Sequence, residues 1–214
     1  SLSLLGPDGR FRILAVRGPG ELAALIGPNT TVLNVKGELI VSGFQDAHSH
    51  PVFGGTELLQ CSLTAATSAD DCYRLIAQYC AERPEPEWII GAGWSMEFFP
   101  GGTPTWEALD AVTDGRPAAI LNRDHHGVWV NSRAFELAGI TSETPDPVDG
   151  RIERDVAGRP AGTLHEGASS AVTDLLPEVS DEFAALGLRR AQSYLHSLGV
   201  TAWQDSMLGN GLGM

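Results

Sequence analysis

His48 and His50, within Asp46-Ala-His-Ser-His-Pro51, are the residues of this chain whose type and spacing best suit metal chemistry. They follow the apolar run Glu38-Leu-Ile-Val-Ser-Gly-Phe44, which reads as a buried strand. Side chains two apart on a strand project from one face, so both imidazoles point the same way, with Asp46 one step behind them. Two convergent imidazoles are half of a metal site, although the same spacing also occurs in solvated loops. Pro51 has no N–H for a ladder and marks a strand's end. The pair is therefore expected at a tip opening into a loop, where chemistry is usually housed. Asp46 either enters the site, caps backbone amides or, as favoured here, holds an imidazole in orientation.

These residues need a frame, and the pattern of the chain supplies an α/β one. Residues 11–16 read as a strand, 20–26 as a short helix closed by Gly27-Pro28, and 31–34 and 38–41 as two further short strands. Ser68-Ala-Asp-Asp71 caps a helix that runs to Arg83 and is ended by Pro84 and Pro86. Residues 88–94 and 118–122 are buried-type strands, while helices are expected from 104 to 110 and from Ser132 to a stop at Gly139. The composition then shifts to Pro, Asp, Gly and Arg, predicting a surface hairpin around 150–160. Residues 166–175 and 180–198 read as helices, 199–205 as a last strand and 208–214 as an unstructured end. No internal repeat is evident.

Composition limits the function classes. The 214 residues can bury one sizeable core in one or two domains. With 27 acidic and 14 basic residues the net charge is -13, and no basic cluster exists to release counterions from a nucleic acid. No apolar run is long enough for a membrane span, and the first residues lack the basic region and apolar core of a secretory signal, so a cytoplasmic protein is expected. Cys61, Cys72 and Cys80 lack the spacing of zinc or redox sites and read as buried, reduced thiols.

Six motifs fall in one order: Gly43-Phe-Gln-Asp-Ala-His-Ser-His50-Pro, Gly91-Ala-Gly-Trp94, the stretch from Leu121 through Asp124-His-His126 to Asn131-Ser, Gly150-Arg-Ile-Glu-Arg-Asp155, Gly162-Thr-Leu-His-Glu166 and Gly199-Val-Thr-Ala-Trp-Gln-Asp205. The series resembles amidohydrolase family 3, the amidohydrolase-superfamily branch that includes N-substituted formamide deformylases. The resemblance implies a distorted (β/α)8 TIM-type barrel of metal-dependent hydrolases with a small β-rich N-terminal segment. Residues 1–42 would be part of a small β-sandwich subdomain. Residues 43–214 would be an incomplete barrel with a large insertion, about 52–198, after its first strand. The resemblance places the strands at 88–94 and 118–122 in that insertion, so residues 199–205 would be only the second strand of a barrel that in full takes about 250 residues, roughly 30 per unit. The family's bridging carboxylated lysine has no counterpart after His50, since Lys36 is the sole lysine of the chain. A fragment of the intact enzyme, truncated at both ends, is the expectation.

The same resemblance makes His48 and His50 ligands of a divalent metal, zinc in the first instance, with one or two ions in the intact enzyme. His126 matches the family's histidine before its Trp and Asn, and His125 stands where glycine is usual. His126 would polarise a substrate carbonyl or merely donate to backbone. Glu166, ahead of a helix, would serve as an extra metal or substrate group, or sit favourably at that helix's N-terminus. Trp94 could wall a pocket or pack in the core, and Asn131 could touch substrate or cap the following helix. Asp124 and Asp205 complete the substrate-binding set, whereas His165 and His196 read as ordinary helix-side residues. The implied reaction is hydrolysis of a carbon–nitrogen bond in a small amide, formamide or cyclic amide, by an enzyme that could form a homo-oligomer. The alternative is an inactive fragment, or a binding subunit completed by another chain.

Overall fold

The computed structural model describes residues 2–5, 11–18 and 20–207, which divide into two units, Ser1–Ser42 and Gly43–Met214. In the first, β1 (Leu2–Leu5) and β2 (Phe11–Ala15) form an antiparallel pair. The helix expected over 20–26 contracts to one 3-10 turn at Ala23–Leu25, because so short a segment between Gly20 and Gly27-Pro28 cannot offset the cost of nucleation. The strands expected at 31–34 and 38–41 do not form. Their β-branched and aliphatic residues have no ladder partner among the described residues, and Leu33 and Leu39 are 83% and 87% exposed. The apolar run before the histidines is therefore not the buried strand its composition suggests. The end of the chain, 208–214, lies outside the described residues.

The second unit runs β3 (Phe44–Ser49), α1 (Pro51–Glu57), β4 (Cys61–Ser62), α2 (Ala69–Glu82), β5 (Ile89–Trp94), α3 (Trp106–Asp110), β6 (Ala118–Asn122), β7 (Gly127–Val130), α4 (Ser132–Ala138), β8 (Gly150–Arg154), β9 (Pro160–Glu166), α5 (Ser170–Thr173), α6 (Asp181–Ser197) and β10 (Val200–Asp205). Local sequence explains many of these bounds. The Ser68 hydroxyl accepts from the Asp71 amide at the start of α2, the Ser180 hydroxyl accepts from the Phe183 amide at the start of α6, and Gly139 ends α4 with φ +65°.

A six-stranded sheet, ordered β4-β5-β6-β7-β9-β8, holds the core. β4, β5 and β6 are parallel, and the remaining neighbours antiparallel. Both faces are covered. Ala118, Ile120 and Trp129 pack with Ile76 of α2 and Leu109 of α3, while Ala119, Val128 and Val130 pack with Phe135 of α4 and Val172 of α5. Burial on both faces explains why β5 and β6 read as continuous apolar runs rather than alternating ones. β7 escapes a search for alternation for the same reason: all four of its residues are buried.

β3 pairs with β10 instead, in parallel, with Asp46 opposite Trp203 and Ser49 opposite Asp205. The six-stranded sheet thus lies within a crossover connection that returns through α6 to the first strand's neighbour. α6 packs on α1 where a Cβ on Gly55 would collide with the Gly187 carbonyl, a backbone approach only glycine permits. These two parallel strands do not close into a barrel among the described residues.

Three further expectations change. Pro51 opens a helix rather than a loop, taking the first helical position where its missing N–H costs nothing. β9 continues to Glu166, so His165 is a strand residue, and the helix expected from 166 begins later as a 3-10 turn at Gly167–Ser169 followed by α5. The three cysteines are free and buried as expected, and burial pushes the Cys61 thiol up to about 12 and that of Cys72 to about 11. Among the described residues no helix is long and apolar enough to cross a membrane.

Candidate metal and catalytic site

His48 stands near the C-terminal end of β3 and His50 just beyond it, at the N-cap position of α1, with ring centroids 5.2 Å apart and planes at 83°. His48 is exposed and His50 half-buried, and the Nδ1 atom of His50 is buried with no hydrogen-bond partner. Asp46 takes a different task from the one favoured by its spacing. Its Oδ1 accepts from the backbone amide of His48 at 3.0 Å, so it fixes the strand's end rather than an imidazole. At the adjacent end of β10, Asp205 Oδ1 accepts from the Met207 amide at 3.0 Å. The Ser206 amide donates to the Ser49 carbonyl at 2.9 Å, and the Ser49 hydroxyl to the Gln204 carbonyl at 3.2 Å. Parallel pairing therefore brings Asp205 to the strand end that carries the histidines.

A second group gathers where β6 turns into β7. The buried Asn122 side chain accepts from the Gly127 amide at 3.0 Å, and Asp124 Oδ1 accepts from the His126 amide at 3.1 Å. His126 Nδ1 lies 3.1 Å from Glu166 Oε1, and the Glu166 amide donates to the His126 carbonyl at 3.1 Å. The structure thus joins the two residues expected to be catalytic, both largely solvent-facing. Glu166 makes no side-chain cap to the helical turn that follows it, and its φ of +52° is costly for a residue with a Cβ.

His125 also has a left-handed backbone, φ +64°, at the position that the family resemblance gives to glycine. Its Nε2 is 2.9 Å from Glu57 Oε1, within ion-pair distance although the N–H is not well aligned on that oxygen. The Glu57 carboxylate holds the His125 imidazole above its ordinary range against the opposing effect of burial, with a further upward contribution from Asp124. Phe53, one turn before Glu57, meets the His125 ring edge-on at 5.2 Å. Sequence reading missed both α1 residues. Their spacing, four apart, is the only local signal, and Gly54-Gly55 between them hides the helix.

Two expected substrate contacts are structural instead. Trp94 is fully buried, donates from Nε1 to the Ile120 carbonyl at 2.8 Å and packs against Phe99 and Trp129. Asn131 is also fully buried and spends its whole side chain on the fold. Its Oδ1 accepts from the amides of Ala134 and Ala118, and its Nδ2 donates to Thr113 Oγ1 and the Arg116 carbonyl. His165 Nε2 is buried 3.5 Å from Glu153 Oε2, and burial depresses its proton affinity. A cleft of about 590 Å³ lined by Tyr79, Arg83, Trp88, Ile90, Leu175 and Phe183 contains none of the candidate residues.

A mixed α/β unit of this kind is found in a solved structure. The chain is similar to an uncharacterized metal-dependent hydrolase from Pyrococcus horikoshii OT3, with a TM-score of 0.50 and 24% identity over 76% of this chain and 30% of that one, a likeness of fold. The Amidohydrolase family profile matches residues 31–212, which span every candidate residue named above, and the chain belongs to that family, in the branch known as amidohydrolase family 3. It is 33% identical over 194 residues to Protein LONG AFTER FAR-RED 3 of Arabidopsis thaliana, covering 91% of this chain and 33% of that protein. It is 31% identical over 208 residues to N-substituted formamide deformylase of Arthrobacter pascens, covering 92% and 38%. The chain spans only 33% and 38% of the length of these curated relatives.

Proposed function

We propose that this chain supplies the histidine pair and several substrate-side residues of a metal-dependent hydrolase acting on non-peptide carbon–nitrogen bonds in amides, formamides or cyclic amides. One observation carries the reading: His48 and His50 converge at a strand's end, and a buried imidazole nitrogen there has no partner. Such an atom is costly unless a donor or a cation meets it. Neutral imidazoles suit zinc and iron, while manganese favours sites richer in oxygen ligands. When bound, an ion of this class lowers the pKa of its water to about 7 and polarises a carbonyl.

The chain's own residues act around that pair. Glu166 engages Nδ1 of His126, which leaves Nε2 free to face a carbonyl oxygen or a leaving nitrogen. Asp124 holds the turn that carries His126, while Asp205, ending the strand beside the pair, can accept from a substrate N–H. Trp94 and Asn131 support the site from the core. A catalytic zinc takes about three protein ligands plus water, and among the described residues no group of three His, Cys, Asp or Glu gathers. The remaining ligands are assigned to the part of the family's length that this chain does not span, or to another chain.

Elemental analysis and formate release from an N-substituted formamide test the reading. A protein containing this chain should hold stoichiometric zinc, manganese or iron, lose it in the His48→Ala/His50→Ala variant, and lose hydrolysis with it. Metal retained by that variant, or hydrolysis without metal, overturns it.

A further inference from the structure

Helix α1 links the two groups of site residues. It begins at His50, which occupies its N-cap position, and ends at Glu57, whose carboxylate meets His125, the residue next to His126. Phe53 and Glu57 are one helical turn apart on the same face, and together they grip the His125 ring, one edge-on at 5.2 Å and the other at 2.9 Å. The charged groups acting on this imidazole are Glu57 and the neighbouring Asp124. His125 adopts φ +64°, a conformation that a histidine takes at a cost and glycine takes freely. A glycine would leave the turn nothing with which to reach the helix. The histidine turns that strained position into an anchor.

We infer that Glu57 and His125 are positioning residues that tether the His126 turn to α1 and so fix His126 relative to the His48–His50 pair. The inference rests on the reading of that pair as the metal end of the site. It adds a device to that reading: the spacing between metal and substrate-side histidine is set by a helix of seven residues that starts at His50 and is clamped to the His126 turn at its other end. Substituting either partner releases that clamp and leaves the six-stranded sheet and the histidine pair untouched.

The test compares the unsubstituted protein with Glu57→Gln, His125→Asn and the double variant. Asparagine tolerates the left-handed backbone but cannot reach Glu57, so the fold is preserved while the tether is cut. Amide ¹⁵N relaxation of residues 124–126 should fall from order parameters of about 0.85 to below about 0.6 in each single variant. The double variant should be no looser than either single, because one interaction is lost in all three. Formamide hydrolysis should lose about tenfold in kcat with KM and metal content unchanged. Unchanged relaxation, or additive effects in the double variant, overturns the tether. Loosening of the turn in a protein that binds no metal supports the tether and overturns the hydrolase reading.

Discussion

His126 and Glu166 face each other because β7 and β9 are antiparallel: Gly127 pairs with His165, so the residue before the one meets the residue after the other, at 3.1 Å between Nδ1 and Oε1. The ladder sets this pair, and the Glu166 amide closes it on the His126 carbonyl.

Glu166→Gln keeps the shape of that contact and removes its charge. General acid–base contributions of this kind are worth about 10²- to 10⁴-fold, so kcat of the proposed formamide hydrolysis should drop about a hundredfold. Glu166→Gly should be at least as inactive yet gain about 1 kcal/mol in stability, since the backbone at φ +52° would lose its strain. Kinetics and urea unfolding of the two variants separate chemistry from strain.

Asn131→Ala should destabilise the protein by about 3 kcal/mol, because it uncaps α4 and leaves the Ala118 amide and the Arg116 carbonyl without their partner in the core. A midpoint shift in urea at unchanged slope is the expected result.

Gly55→Ala should also destabilise, by about 1–2 kcal/mol, even though alanine is favoured over glycine inside a helix by about 1 kcal/mol. The added Cβ would push α6 away at Gly187. Thermal unfolding decides the sign.

Two histidines oppose each other in the pH dependence of stability. His125 has its folded value raised, so the tether's contribution is full below the ordinary value of 6.5 and is lost as pH rises through the folded value. His165 has its folded value lowered by burial. As pH falls below 6.5 the unfolded chain takes up a proton that the buried ring refuses, and stability declines. Urea titrations from about pH 5 to about pH 9 should show Glu57→Gln removing the alkaline loss while the acid loss persists.

The buried thiols should be inert. Cys61 and Cys72, pushed to about 12 and about 11, carry almost no thiolate at neutral pH. Ellman's reagent should find no reactive thiol in the native protein and all three on denaturation.

Elements with strong local signals were legible in the chain. The Ser68 and Ser180 caps, the periodic faces of α2 and α6 and the Gly139 stop act within a few residues of where they are written. The segments 31–34 and 38–41 failed because strand-forming residues make a strand only when a partner lies beside them. The strand that ends at Glu166 was missed, and His165 read as helix-side, because Gly162, at φ +133°, breaks the pattern, and all of β7 and the middle of β9 are buried without alternation. Among the site residues, the nearness of His48 and His50 follows from their spacing at a strand's end, whereas the roles of Trp94 and Asn131 turned on how deeply each was buried.

By itself the sequence determined the histidine pair, the order of most elements and the family, since these rest on residue types, short spacings and motifs in series. The tertiary structure decided what those residues meet. It set β3 beside a strand whose Gln204 carbonyl accepts from Ser49, 155 residues away, brought Glu57 to His125, and took Trp94 and Asn131 into the core. Spacing along a chain fixes which way a side chain points. Only ladder pairing and packing between distant segments decide what stands in front of it.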